Sequence, residues 1–182
     1  MESERPAGTG WRIESEEFLK NYAPERCPEK TYVLYEIQWG RSHKRWRNWC
    51  TNTLSQHAEI NALERHEERL NQRATTSCHI IWFLSWSPCG SCSHSIIEFL
   101  KRHPNVTLEI RVAQLFRPND KRNRNGLKNL VSSGVQIFIM LLPDYYYCWR
   151  TFVVQGRMDN WCLIWSFLIL HNVLQLNTIL TE

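Results

Sequence analysis

The residues able to do chemistry in this chain fall in two short runs. His57-Ala58-Glu59 opens one stretch, and Pro88-Cys89-Gly90-Ser91-Cys92 opens another. Cys89 and Cys92 are spaced so that both sulfurs lie on one side of a first helical turn. Thiolates and an imidazole are good zinc ligands, and three of them leave the fourth tetrahedral position open. An open position separates a catalytic zinc from a structural one, because water held there has its pKa lowered from about 16 to about 7. Glu59, just past His57, is outside the ligand set and is placed to move protons. Two helix N-termini facing the metal would further favour the thiolates.

Other readings of these runs exist. A bare Cys-x-x-Cys also fits a redox pair, or half of a structural zinc site in which Cys50, Cys78 or His79 supplies a fourth ligand. The joint pattern of His-x-Glu at one helix start, Pro-Cys-x-x-Cys at another and a buried strand between them is far more specific, and it favours the catalytic site. It is the signature already known for zinc nucleobase deaminases. His94 reads as a solvated helix residue. Cys27, Cys50, Cys78, Cys148 and Cys162 read as packing residues or inert thiols.

The elements that must position these groups are visible in the periodicity. Ile13 to Tyr22 is a short helix ended by Pro24. Thr31 to Trp39 and Trp46 to Cys50 form a hairpin around Gly40-Arg-Ser-His. His57 to Leu70 is amphipathic, with Ile60, Leu63 and Leu70 on one face. Cys78 to Trp86 is nearly continuous apolar sequence, as a central strand buried on both faces requires. A helix from Pro88 to about His103, a strand Val106 to Leu115, a helix Arg122 to Ser133 closed by Gly134, and a strand Val135 to Leu142 follow. Helices over Tyr145 to Val154 and Trp161 to Leu176 end the chain. Strands alternating with helices imply parallel pairing, here joined to an antiparallel hairpin. The expected class is α/β, one domain over residues 1–182 with residues 1–12 flexible.

Length and composition agree with a single globular core: 182 residues, 43% hydrophobic, 22% charged, net charge +4. The nine tryptophans suit both core packing and stacking on bases. Seven cysteines cannot all pair internally, and Met1-Glu-Ser-Glu-Arg-Pro lacks the apolar stretch of a secretory signal. The most apolar run, Trp161 to Leu170, is shorter than the ~20 residues that span a bilayer. The expectation is a soluble protein of the cytoplasm and/or nucleus with no membrane partner.

The chain also resembles the AID/APOBEC family of polynucleotide cytidine deaminases from about Glu17 to Val153. The strongest stretch is Ile81-Trp-Phe-Leu-Ser-Trp-Ser-Pro-Cys-Gly-Ser-Cys. Leu34-Tyr-Glu-Ile, Phe99-Leu-Lys-Arg-His-Pro-Asn-Val-Thr-Leu, Gly126-Leu-Lys-Asn-Leu and Tyr146-Tyr-Cys-Trp-Arg-Thr-Phe add to it, and the detail is most similar to the mRNA-editing branch. The resemblance implies a cytidine deaminase-like fold, a five-stranded mixed sheet flanked by about six helices, and conversion of C to U in single-stranded DNA or RNA. It implies one zinc per chain on His57, Cys89 and Cys92, with Glu59 as catalytic proton shuttle. It places Trp86 and Ser87 in the wall of the base pocket, and Thr31 and Asn52 beside the flipped nucleotide. Gln114-Leu-Phe-Arg-Pro falls where the family reads the neighbouring base. There Gln114 replaces the usual Arg and Phe116 the usual Tyr, so Phe116 can stack without offering a hydroxyl.

Single-stranded substrate needs cations along its backbone. One cluster, Arg41, Lys44, Arg45 and Arg47 with Trp46 and Trp49, lies in the hairpin. Another, Arg117, Lys121, Arg122 and Arg124, follows the base-reading loop. Arg45, Arg47, Arg117, Lys121, Arg122 and Arg124 are the expected phosphate contacts. Trp82, Trp149 and Trp165 are expected in the core. The last helix, apolar on more than one side, is expected to pack on the sheet, with surface left for a second copy or a protein partner. Competing readings are a tRNA adenosine deaminase, a small-molecule cytidine deaminase, and a catalytically silent zinc-stabilised nucleic-acid-binding module. Retention of Glu59 argues against the last, since a structural zinc has no use for a proton shuttle.

Overall fold

The computed structural model describes residues 11–154 and 163–182. The expectations for the first ten residues, and for Trp161 and Cys162, lie outside the described residues. Helix α1 (Ser15–Tyr22) precedes the hairpin β1 (Tyr32–Trp39) and β2 (Arg45–Thr51). Then follow α2 (Ala58–Leu70), β3 (Cys78–Trp86), α3 (Gly90–Arg102), β4 (Val106–Gln114), α4 (Lys121–Ser132), β5 (Gln136–Ile139), α5 (Leu142–Phe152) and α6 (Leu163–Thr181). The sheet order is β2-β1-β3-β4-β5. β1 pairs antiparallel with β2 and β3, whereas β3–β4 and β4–β5 are parallel. The α/β class and the mixed five-stranded sheet are as expected.

β3 occupies the middle because its side chains are apolar on both faces. Alternate residues point to opposite sides, and the neighbours Trp82 and Phe83 show it. Trp82 faces α2, where its indole N–H donates to His66 Nε2 at 2.8 Å. Phe83 meets the rings of Tyr147 and Phe152 of α5. α1 joins that second face through Phe18 against Trp149 and through Tyr22, whose hydroxyl donates to the Phe83 carbonyl at 2.7 Å. Trp82, Trp149 and Trp165 are all buried, as the sequence pattern requires.

Two buried polar groups take specific partners, although His66 Nδ1 has none among the described residues. Glu36 on β1 is 2% exposed. Its carboxylate accepts from Arg47 Nε at 2.8 Å across the β1–β2 register and from the Tyr147 hydroxyl at 2.5 Å, with Arg45 at 3.6 Å. A buried charge stripped of such partners typically costs 3–5 kcal/mol, on the order of a third of a domain's stability. His66 is fully buried and neutral: burial, with Arg69 and Arg65 adding to it, pushes its pKa down to about 3.

Two elements differ from expectation. The last strand is short, because the Asp144 carboxylate accepts from the Leu141 N–H at 2.8 Å and Pro143 begins the next helix. α5 therefore starts at Leu142, where a strand was expected. α6 runs to Thr181, past the expected Leu176. It buries Trp165, Ile169, Leu176 and Ile179, while Ile164, Phe167, Leu170 and Leu174 are 51–67% exposed. This run is longer than the expected apolar stretch, and Ile164–Thr181 reaches the length and composition of a membrane span with 22% of it buried.

The His66 environment generates a test. The native state refuses a proton that an unfolded His accepts below about pH 6.5, so stability falls as pH drops from there towards 3. His66→Gln, which keeps an acceptor for Trp82, is expected to lose about 1–2 kcal/mol less than wild type between pH 6.5 and 5. Denaturant unfolding at both pH values checks it. Parallel pH profiles for the two proteins would count against the account.

Candidate metal centre and pocket

His57 and Cys89 both sit at helix N-cap positions, with extended backbone (φ −69°, ψ 150° and φ −72°, ψ 169°), at the starts of α2 and α3. The Cys89 sulfur accepts from the Cys92 amide at 3.5 Å, and Cys92 lies one helical turn on. His57 Nδ1 is 3.2 Å from Cys92 Sγ and 3.7 Å from Cys89 Sγ, and the donor atoms of the three residues lie within 4.8 Å of one another. A tetrahedral ion with bonds of about 2.0–2.3 Å separates its N and S ligands by about 3.5–3.8 Å, so the set fits a metal with little adjustment.

The protonation pattern is that of a ligand set. The Cys92 thiol, donating to it, holds Cys89 down at about 5, aided by the Cys92 and Ser91 amides and His57 against partial burial. The same bond and burial push Cys92 far up. A cation bound to both sulfurs would favour their thiolate forms. Glu59, 3% exposed on the first turn of α2, lies against the Cys92 thiol. Burial pushes its carboxyl up to about 7, with Cys89 adding to the rise.

The residues weighed as a fourth ligand are otherwise engaged. Cys50 donates to the Ala58 carbonyl at 3.4 Å, and burial pushes its thiol up to about 12. His79 Nδ1 is 2.7 Å from Thr107 Oγ1. Cys78 starts β3, at the end away from Trp86, and burial likewise pushes it up to about 12. The cluster thus keeps three ligands among the described residues. His94 is exposed, as expected, and so is Cys27, which does not pack.

The parallel strands β3 and β4 deliver the pocket residues at their carboxyl ends, where α/β sheets place ligands. Trp86 meets Phe116 edge to face, ring centroids 5.8 Å apart at 73°, and its indole N–H donates to Pro28 O at 3.3 Å. Ser87 is buried and its hydroxyl accepts from the Phe116 N–H at 2.8 Å. Thr31 and Asn52 are brought together: the Thr31 N–H donates to Asn52 Oδ1 at 3.2 Å, and the Asn52 N–H to Thr31 O at 3.3 Å. Gln114 turns its amide towards the carbonyls of Ala23, Pro24 and Arg26, tying that loop to the end of β4.

The basic residues divide. Arg45 and Arg47 are engaged by Glu36, and Arg124 by Glu182. Arg117, Lys121 and Arg122 are exposed beside the pocket, and Arg122 lines a groove of about 300 Å³ between α3 and α4. Arg117 (φ 41°) is a non-glycine residue in left-handed backbone, at the turn that leaves Phe116.

The sequence reading missed Asn123. Its Oδ1 accepts from the Gly90 N–H at 3.0 Å and its Nδ2 donates to Phe116 O at 3.2 Å. One buried amide therefore joins the metal-binding helix to the loop beside it. The close approach of α4 needs Gly126, where a Cβ would stand 2.8 Å from Ser93 Oγ and 3.0 Å from Gly90 Cα. An Asn three residues past a helix cap carries no signal of its own; only the register of α4 against α3 reveals its use.

Comparison with known proteins agrees with this geometry. Residues 21–155 match the APOBEC4-like AID/APOBEC-deaminase family. The chain belongs to the AID/APOBEC deaminase family. It is 51% identical over 142 residues to the C->U-editing enzyme APOBEC-1 of Mus musculus, covering 78% of this chain and 62% of that protein. With the Homo sapiens protein of the same name it shares 48% over 158 residues (84% and 66%), and with that of Monodelphis domestica 44% over 171 residues (93% and 72%). The chain thus spans just under two thirds of the mouse and human proteins.

The Asn123 clamp is open to test. Asn123→Ala removes two hydrogen bonds, at about 0.5–1.5 kcal/mol each. It is expected to raise amide hydrogen exchange in residues 115–119 about tenfold or more, with exchange in β1 unchanged. Unaltered protection of that loop would show that the clamp does not hold it.

Proposed function

We propose that this chain catalyses zinc-dependent hydrolytic deamination of cytosine to uracil in single-stranded DNA or RNA. The observation that carries the reading is the meeting of His57, Cys89 and Cys92 at two helix N-termini with the buried carboxyl of Glu59 beside them. Family membership supports it, and so does the activity for which the APOBEC-1 relatives are named, C-to-U editing.

The two thiolates and one imidazole would hold one zinc ion. Such an ion, with one coordination position left open, supplies a Lewis acid that makes a water nucleophilic at neutral pH. The reaction joins that water's oxygen to C4 of cytosine and breaks the C4–N4 bond, giving uracil and ammonia. Glu59 takes one proton from the water and passes it to ring N3, then takes the second from the new C4 hydroxyl and gives it to the departing N4, which leaves as ammonia. A carboxyl pushed up to about 7 can both accept and return a proton near neutral pH.

Trp86 and Phe116, ring against ring, offer apolar walls for an unstacked base, while Thr31, Asn52 and Ser87 supply polar edges. The target must be single-stranded or flipped, because C4 is out of reach within a stacked duplex. Arg117, Lys121 and Arg122 would meet the phosphates next to the pocket.

The experiment is a uracil assay on cytosine-containing single strands, with metal analysis of the same samples. Wild type is expected to carry one zinc and form uracil. Glu59→Ala is expected to keep the zinc and lose activity by 10²-fold or more, on the order of a general acid–base contribution. Cys89→Ser is expected to lose both zinc and activity. Normal turnover by Glu59→Ala would remove the mechanism, and equal conversion of adenosine would replace cytosine specificity with the adenosine deaminase reading.

A further inference from the structure

A second set of cations gathers at the end of the molecule away from the metal ligands. The turn after β1 carries Arg41 and Lys44, both exposed. The last turn of α2 and the loop after it carry Arg69 and Arg73, also exposed. The two segments are held together by the Gly40 N–H, which donates to Ser77 O at 2.7 Å. Arg69 stacks on Trp46, its guanidinium carbon 3.2 Å from the ring centroid, and Arg73 lies over Trp39 at 5.1 Å.

None of these four cations makes an ion pair among the described residues. The nearby carboxylates do not neutralise the patch: Glu36 is buried under Arg45 and Arg47, and Glu68 alone acts on Arg69. Arg73 is close enough to Arg69 to disfavour its charge. An uncompensated group of this kind calls for an anion. The Arg–Trp stacks hold two guanidiniums on rigid supports, so little side-chain freedom is lost on contact, and a guanidinium plane also accepts a stacked base.

The patch is remote from the chemistry. From His57 to Arg69 is twelve residues of helix, about 18 Å along its axis. A strand only long enough to fill the pocket does not reach it. We propose that Arg41, Lys44, Arg69 and Arg73, with Trp39 and Trp46, form a second binding surface for the phosphate backbone of single-stranded nucleic acid, used only by strands long enough to extend past the metal centre. The proposal rests on the reading of the pocket as a nucleic-acid site, and it adds length-dependent anchoring to it.

The test uses fluorescein-labelled single-stranded DNA of about 5 and about 45 nucleotides, each with one central cytosine, so that the short strand ends before the patch. Binding is measured by anisotropy across a salt series, and KM and kcat by uracil formation. R41E/K44E alters an exposed turn and leaves the ring stacks in place; R69A/R73A removes the stacks, and R69K/R73K restores the charge. For both charge-removing variants, Kd and KM for the long strand are expected to rise about tenfold, with the short strand and both kcat values unchanged. The slope of log Kd against log salt for the long strand should flatten by about 0.7 for each phosphate no longer neutralised. R69K/R73K should recover most of the long-strand affinity.

Unchanged long-strand binding in R41E/K44E, or equal weakening for both lengths, overturns the proposal. So does loss of binding to phosphatidylserine vesicles with long-strand binding intact, which would make the patch a lipid-surface site. If wild type forms no uracil, the catalytic reading fails, while the anisotropy measurements still decide this surface.

Discussion

Everything the site can do depends on two helices starting at the same point in space. α2 and α3 begin at His57 and Cys89, thirty-two residues apart in sequence, yet their ligand atoms lie within 4.8 Å. Helix N-termini carry partial positive charge and unsatisfied N–H groups, so two of them together form an unfavourable junction unless something anionic sits between them. Two sulfurs meet that demand. The Cys89 sulfur takes the Cys92 amide, and its proton affinity falls because of where it stands. The metal-binding chemistry and the local electrostatics are thus one arrangement. Neither helix could be shifted by a turn without losing both.

What holds the two helix starts in place is mostly packing, with a few polar locks set into it. Trp82 reaches His66 of α2 from the central strand, and the tight α3–α4 crossing is possible because residues 90 and 126 have no side chains. On the other face, Glu36, Arg47 and Tyr147 join β1, β2 and α5 through a single buried carboxylate. Each lock is fully buried at one end and touches solvent or a partner at the other. Such groups contribute less to net stability than to uniqueness of register, because a one-residue slip of β2 would leave Glu36 without its guanidinium.

Much of this was legible in the residues themselves. The His-x-Glu and Pro-Cys-x-x-Cys runs specify ligand types and spacing, and the apolar run over Cys78–Trp86 marks a strand buried on both faces. Period-3.6 patterning located α2, α3 and α4 to within two residues of their ends. The misses have physical causes. Leu141 and Leu142 continue an apolar run, and the capping contact from Asp144 together with Pro143 turns that run into a helix start. Arg45 and Arg47 look like free cations in a chain of letters, because their buried counter-charge sits on a different strand. Asn123 is ordinary by composition and acts only through tertiary register. Pairwise contacts between distant segments are what a single sequence conceals.

The mounting of Phe116 has a consequence for how such a pocket can change. Its N–H is taken by Ser87 and its carbonyl by Asn123, so the backbone at this position is gripped from both sides by side chains belonging to other elements. The ring itself contributes nothing to that grip; it faces Trp86 and carries the Arg117 guanidinium over it. Residue 116 therefore behaves like an interchangeable tip on a fixed socket. Its side chain can be exchanged without moving the loop, and selectivity for whatever lies against it can drift while the fold that presents it stays still.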